Sequence, residues 1–357
     1  MEIPIKVGIV GYGYTVKTFH LPLLQSLPIF EVSKIARKSG NRDDQLPHSI
    51  TFVQDASLLY NDPNIELIIV CTPSIDHVTF ARDALLAGKH VVVEKPFTVT
   101  TAEADELIKL AKQQGKMLSV FHNRRFDGDF MTIEQIVKQA TLGKLTEVSF
   151  GWSRYIPQVQ DSVWRESNML GAGVIYDLGI HLIDQALCLF GTPDAITAKV
   201  AALRENAVVD DYFDITLSYH DGPHVKLHAS LLRREQTARY MLHGSKGSYV
   251  KYGEDPQEAA LLAGKNPTDI DFGMEPEANW GILHTGLGEQ QLIGKLKTIP
   301  GSYLSYYQNI YDHIRHQAEL IVRPEEARMA VLLVELAQKS SELGETIIIK
   351  DSLASCV

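Results

Sequence analysis

The run from Ile5 to Val10 is apolar and rich in β-branched residues, stops on Gly11-Tyr12-Gly13, and passes at once into a helical stretch. A buried strand that must turn sharply into a helix narrows the choice of fold more than any other feature of this chain. Gly11, without a Cβ, permits the tight turn, and Gly13 lets an anionic group approach the backbone N–H groups at the helix start. Val16 replaces the third glycine of the G-x-G-x-x-G pattern, which weakens close packing of that helix on the strand.

Four more short apolar runs follow, at Val32–Ala36, Leu67–Cys71, His90–Val93 and Met117–Phe121. Helix-like segments lie between them, near Val16–Ser26, Asp76–Ala87 and Ala102–Gln113, the last opened by Thr100 or Thr101 as a cap. This alternation predicts a doubly wound parallel sheet with helices on both faces. Ligands bind at the carboxyl ends of the strands in such sheets. The second strand runs into Ala36-Arg37-Lys38-Ser39, with Arg42 nearby and no acid before Asp43. A carboxylate there accepts from a ribose 2′-hydroxyl, whereas an arginine pairs with a 2′-phosphate, so Arg37 and Lys38 favour NADP over NAD.

After about Asn123 the pattern changes to successive strands with tight turns. Ile196–Leu203, Phe213–Tyr219, Val225–Leu232, Ala238–Leu242 and Ser248–Tyr252 are strand-like, with turns at Asp221-Gly222-Pro223 and Gly244-Ser245-Lys246-Gly247. A second domain with a large, mostly antiparallel, open-faced sheet is expected, an α+β partner to the first. Gly253 to Ser302 is rich in Pro and Gly and reads as a long loop that wraps a surface or completes an interface. Ala327–Leu343 reads as an amphipathic helix and Thr346–Ile349 as a final strand, both able to pack back toward the first domain. The expected division is 1–122 for nucleotide binding and 123–357 for substrate binding and oligomerisation.

A formal net charge of −10 argues against nucleic acid or an anionic membrane as a partner. The three cysteines, Cys71, Cys188 and Cys356, are widely spaced without a CxxC, so neither a disulfide framework nor a Cys-ligated zinc is expected. No secretory leader and no run of the ~18 apolar residues that a membrane helix requires is read, and a reducing cytoplasm fits.

At Val93-Glu94-Lys95-Pro96, after Gly88-Lys89-His90, the chain resembles the glucose–fructose oxidoreductase, inositol dehydrogenase and rhizopine-catabolism (Gfo/Idh/MocA) superfamily. The resemblance extends to Gly11-Tyr12-Gly13, Cys71-Thr72-Pro73 with His77, Asn123-Arg124-Arg125, and Asp177-Leu178-Gly179-Ile180-His181. Phe19-His20-Leu21-Pro22 and Phe121-His122-Asn123-Arg124-Arg125 are similar to a branch containing NADP-dependent scyllo-inositol dehydrogenases. The resemblance implies a Rossmann domain followed by an open-faced α/β domain, with the active site between them. It implies Lys95, Asp177 and His181 as the catalytic group. Tyr12, Thr72, Pro73, His77, Glu94, Lys95 and Asn123 would line the cofactor, with Trp164 and Arg165 toward its nicotinamide end. Arg124 and Tyr155, beside Asp177 and His181, are the implied substrate contacts.

The residue types suit that chemistry. Oxidising an alcohol requires a base for the hydroxyl proton while a hydride leaves carbon, and histidine titrates near working pH. Asp177 and His181 are four apart, so on a helix they share a face and the carboxylate can orient the imidazole. Lys95 lies just beyond a strand's carboxyl end, where it can polarise the same oxygen. His220, His224 and His228, and His313 with His316, lack an accompanying carboxylate or cysteine set, so no metal is expected. The expected activity is hydride transfer between NADP, or NAD, and a polyol or sugar-like alcohol, scyllo-inositol among the candidates. An aldose or anhydrosugar oxidoreductase is the alternative enzyme, and a non-catalytic nucleotide sensor the alternative of another class. The strands around Phe213–Tyr219, Val225–Leu232 and Tyr240–Tyr252 carry apolar residues on both parities, which suggests a sheet face covered by a two-fold partner in a homodimer or homotetramer.

Overall fold

The computed structural model describes residues 3–39, 43, 46–160, 164–287 and 290–350. Contacts divide the chain into two compact units, neither a single stretch. The first holds Met1–Phe126, Pro256–Phe272 and Ser302–Arg328, the second Asp127–Asp255, Gly273–Gly301 and Met329–Val357. The first family of strands therefore closes at Phe126, and two later segments return to it.

In the first unit β1 (Ile5–Val10), β2 (Phe30–Ala36), β3 (Thr51–Val53), β4 (Leu67–Val70), β5 (His90–Val93) and β6 (Leu118–Val120) form one parallel sheet. Its order, β3-β2-β1-β4-β5-β6, reverses between β1 and β4, and that switch point opens the crevice where dinucleotides bind. All four residues of β4 and Val91 to Val93 of β5 are fully buried, as strands covered on both faces must be. Strand β3 escaped the sequence reading because three residues carry no period. Helix Thr101–Gln114 starts on a reciprocal cap from Thr100: Glu103 N–H donates to the Thr100 hydroxyl at 3.3 Å and Thr100 N–H to the Glu103 carboxylate at 3.0 Å. Gly115, at φ +62°, ends it. The returning helix Leu304–His316 buries Tyr306, Tyr307, Ile310 and Tyr311. Helix Gln257–Leu262 is tied in by the Gln257 amide, which donates to Phe126 C=O at 3.0 Å and accepts from Tyr303 N–H at 2.7 Å.

The second unit is built on β7 (Leu145–Gly151), β8 (Ala195–Ala201), β9 (Tyr212–Ser218), β10 (His224–Ser230), β11 (Tyr240–Gly244), β12 (Gly247–Lys251), β13 (Gly281–Leu287), β14 (Gln290–Leu296) and β15 (Ile347–Ile348). Their order is β14-β13-β12-β11-β7-β10-β9-β8-β15, antiparallel except where β7 meets β10. Helices Gly128–Lys138 and Ile180–Phe190 and the later part of Pro324–Leu343 supply the core against it. The final strand joins this sheet, beside β8.

Two expectations are corrected here. Gly253–Ser302 is not a loop: it contains helix Gln257–Leu262 and the strands β13 and β14. Nearly every position of β14 is exposed, so its sequence carries no alternation to read. Nor do β9 and β10 present apolar residues on both faces. Phe213, Ile215 and Leu217, with Val225, Leu227 and Ala229, point to the core, while Asp214 and Lys226 lie exposed on the other parity. Among the described residues no helix is long and apolar enough to cross a membrane.

Candidate active site

In the first unit the site begins at the carboxyl end of β1. Gly11 has φ +100°, and a Cβ there would lie 2.3 Å from the Cys71 carbonyl oxygen, so no other residue fits the turn. A Cβ on Gly13 would meet nothing within 4 Å, which leaves open space in front of the helix start. Val16 is fully buried, and from it to His20 the helix widens into a π turn before continuing as Leu21–Gln25. Such turns are rare and concentrate at functional sites. At the end of β4 the Thr72 hydroxyl is buried with no hydrogen-bond partner among the described residues. A glycine-lined opening and an unsatisfied hydroxyl at the switch point both fit a dinucleotide, with its phosphates on the Gly11–Gly13 turn and polar groups within reach of Thr72.

His77 links two neighbouring turns: its Nδ1 lies 2.9 Å from Pro96 C=O and its Nε2 3.0 Å from Thr72 C=O. Burial holds the ring below its ordinary pKa range, so it is neutral at pH 7 and donates from one nitrogen at a time. Pro73 is half-buried beside it. Beyond β5, Glu94 is buried and Lys95 half-buried. Burial alone would raise the Glu94 carboxyl. The hydrogen bond from His20 and the positive charge of Lys95 outweigh it and hold the group below the usual carboxylate range. Asn123 is buried at the head of a 3₁₀ turn, Asn123–Phe126. Arg124 is buried too, ion-paired with Glu258 and donating to the Tyr303 hydroxyl at 2.8 Å, while Tyr14 O–H donates to Glu258 at 2.7 Å.

At the end of β2 the Arg37 guanidinium lies 5.2 Å from the Tyr12 ring centroid and 5.9 Å from that of Phe52, a platform of two rings under one cation. Tyr12 O–H donates to Asp43 at 2.8 Å, and Lys17 pairs with Asp43 at 3.4 Å. Lys38 is exposed and Arg42 lies outside the described residues. Sequence reasoning missed Phe52 and the place of Asp43, because Tyr12 and Asp43 stand 31 residues apart with no local pattern joining them.

The second unit carries the other predicted residues. Asp177 sits in a π turn, Ile175–Gly179, that runs straight into helix Ile180–Phe190, with buried His181 in the first turn of that helix. The two lie on one helical run, but the π geometry at Asp177 departs from the simple i, i+4 face expected. Asp177 pairs with Arg165 Nε at 3.2 Å, and the Arg165 guanidinium lies 5.1 Å from the Trp164 ring. His181 packs 5.8 Å from Trp152, a ring that also carries the Arg239 guanidinium at 4.0 Å and that of Arg154 at 5.7 Å. Tyr155 is exposed, its hydroxyl accepting from Arg234 at 2.9 Å and its ring under that guanidinium at 4.1 Å.

Asp210 was not foreseen. Its carboxylate accepts from Ile175 N–H at 2.7 Å and its C=O from Val174 N–H at 2.9 Å, which caps the π turn. A Cβ on Gly173, at φ +94°, would meet the Asp210 carboxylate at 2.1 Å. Gly173 C=O in turn accepts from Asp177 N–H at 3.1 Å. Burial pushes the Asp210 carboxyl up to about 6 against the hydrogen bond from Ile175.

Metal-type ligands converge at one place among the described residues, His20, Cys71 and Glu94, within 4.8 Å of one another. Both imidazole nitrogens of His20 are already hydrogen-bonded, to Glu94 and Tyr307, and burial keeps the Cys71 thiol protonated.

Two family models match the chain. The oxidoreductase family's NAD-binding Rossmann fold matches residues 5–122, and its C-terminal alpha/beta domain matches residues 134–349. The uncharacterized oxidoreductase YdgJ of Escherichia coli (strain K12) is 42% identical over 347 residues, 97% of this chain and 99% of its own. The scyllo-inositol 2-dehydrogenase (NADP(+)) IolW of Bacillus subtilis (strain 168) is 40% identical over 346 residues, 97% of this chain and 96% of its own. Among solved structures, the yvaA protein of Bacillus subtilis superposes with a TM-score of 0.93 at 40% identity, covering 98% of this chain and 99% of that one. An oxidoreductase from Bacillus cereus gives a TM-score of 0.85 at 32% identity, over 93% and 95%.

Proposed function

The chain belongs to the Gfo/Idh/MocA oxidoreductase family, NAD(P)-binding enzymes that act on CH–OH groups, and from that premise we propose that it is an NADP-preferring polyol dehydrogenase with scyllo-inositol as its first candidate substrate. One observation carries the reading at the level of geometry. The Gly11–Gly13 turn opens at the switch point of the sheet beside the unsatisfied Thr72 hydroxyl, in the same unit as Lys95. The choice of polyol is supported by the NADP-dependent inositol dehydrogenase that matches the chain almost end to end.

The nicotinamide, when bound, supplies or takes up the hydride. Gly11 and Gly13 leave room for the phosphates, and Arg37, above the Tyr12 and Phe52 rings, would pair with a 2′-phosphate. Lys95 stabilises negative charge on the reacting oxygen, and His181 takes the hydroxyl proton in oxidation or returns it in reduction. Asp177 holds the imidazolium that forms, and Arg165 pairs with Asp177. The test is turnover of purified protein with NADP⁺ or NAD⁺ and a panel of inositols, other polyols and aldoses, read by the absorbance of reduced nicotinamide. Lys95→Ala and His181→Ala are each expected to lower kcat by about 10²–10⁴-fold with cofactor affinity little changed. Near-normal turnover in His181→Ala would require another base. Activity on aldoses alone would move the substrate to the sugar reading.

A further inference from the structure

We propose that His20 is a positioning residue for the Lys95 turn, gripping Glu94 from one side while Tyr307 fixes the imidazole from the other. The proposal deepens the dehydrogenase reading and rests on it. Three distant parts of the first unit meet here: the last residue of the π turn Val16–His20, the end of β5, and the returning helix Leu304–His316. His20 Nε2 lies 2.7 Å from Glu94 Oε1, and its Nδ1 is hydrogen-bonded to the Tyr307 hydroxyl. The second oxygen of Glu94 accepts from the backbone N–H of Lys95 at 3.1 Å.

The chemistry of the partners sets the direction of every proton. An ionised Glu94 can only accept, so His20 Nε2 must donate. In a neutral ring Nδ1 is then the acceptor, and Tyr307 donates its O–H to it. Burial keeps the Tyr307 hydroxyl protonated far beyond its ordinary range, which suits a donor. The chain therefore reads Tyr307 O–H to His20, His20 N–H to Glu94, and Lys95 N–H to Glu94, with both carboxylate oxygens occupied.

The surroundings exclude water from this chain. His20 and Tyr307 are fully buried, and Phe121 lies 4.4 Å from the imidazole, with Tyr306 5.3 Å and Phe30 5.6 Å from the Tyr307 ring. A carboxylate in such a place is orphaned if one of its donors is removed, and it must then turn or take up a proton. Either change moves the peptide from which Lys95 projects. The sequence singled out Phe19-His20-Leu21-Pro22 without giving His20 a task, and this contact supplies one.

The test compares His20→Leu, His20→Gln and Tyr307→Phe in the full-length chain. Gln can still donate to Glu94 and accept from Tyr307, so it is the conservative rescue; Phe removes only the hydroxyl. We expect His20→Leu to lower kcat by about 10- to 10²-fold, the loss typical of small misplacements, while NADPH affinity by fluorescence titration stays within a few-fold. His20→Gln should recover most of kcat, and Tyr307→Phe should shift the pH profile of kcat/KM. Nitrogen-15 NMR of the histidines without added cofactor should find His20 protonated on Nε2, with Tyr307→Phe moving the Nδ1 resonance. Unchanged kcat and pH profile in both His20→Leu and Tyr307→Phe would overturn the proposal. So would His20→Gln falling as far as His20→Leu in both kcat and melting temperature, since that marks a purely structural contact. If His20→Leu does not fold, Tyr307→Phe and His20→Gln decide. An inactive parent protein counts against the dehydrogenase reading alone, and the Nε2 tautomer then decides whether His20 holds Glu94.

Discussion

Replacing Asp210 with Asn removes one buried proton site and barely alters the side chain's shape. The carboxylate caps the π turn of the second unit, 2.7 Å from Ile175 N–H, and burial pushes its pKa from the ordinary 3.8 up to about 6. In the unfolded chain the group titrates at its ordinary value, so between these two pH values the folded state holds the proton more tightly. Its contribution to stability is fully present below 3.8, falls as the pH rises, and is gone above about 6. Each pH unit between the two values is worth about 1.4 kcal/mol, so the chain is about 3 kcal/mol less stable at pH 7 than in acid on account of this group alone. Asn cannot ionise and keeps an oxygen for Ile175 N–H. The unfolding free energy of Asp210→Asn relative to the parent should therefore rise in the variant's favour by about 3 kcal/mol between pH 4 and pH 7, then level off. Asp210→Ala, which also removes the acceptor, should show the same pH-dependent rise displaced downward by about 1–3 kcal/mol of lost hydrogen bonding. Urea melts across the window measure both. A difference between Asp210→Asn and the parent that does not change with pH would refute the reasoning.

Gly11→Ala should abolish cofactor binding, because its Cβ would stand 2.3 Å from the Cys71 carbonyl oxygen at a φ of +100°. The strained turn should cost about 1–3 kcal/mol, and parental NADPH affinity by fluorescence titration would count against that account. Arg37→Asp should reverse or abolish a preference for NADP in kcat/KM, and equal values for the two cofactors in the unmodified protein would end the NADP reading. The protein is expected to be a homodimer or homotetramer formed through the second unit's sheet. There Ile282, Leu292 and Ile293 of the β13–β14 edge are 38%, 49% and 64% exposed. Light scattering at micromolar concentration is the check, and a mass near the 39.8 kDa chain mass would reject it.

What could be read from the sequence was whatever local patterning fixes. Segments buried on both faces, such as Leu67–Val70 and Val91–Val93, must be apolar without interruption, and the Gly11 turn must be glycine, so both stand out in the chain. The cap at Thr100 could be read because its partner, Glu103, lies three residues on. Strand β14 failed that test from the opposite side: an edge strand exposed along nearly its whole length needs no apolar period, so nothing in Gln290–Leu296 announces it. The motif Glu94-Lys95-Pro96 marks where the chain leaves β5, yet nothing near it says what holds Glu94. His20 stands 74 residues from Glu94 and 287 from Tyr307. Asp210 stands 35 residues from the N–H it caps. A buried carboxylate is costly wherever it lies, and the donors that make it tolerable are chosen by the fold. Sequence motifs in this chain therefore mark the turns at the ends of the strands, while the residues that hold those turns, such as His20 on Glu94 and Asp210 on Ile175 N–H, come into view only when distant segments close over them.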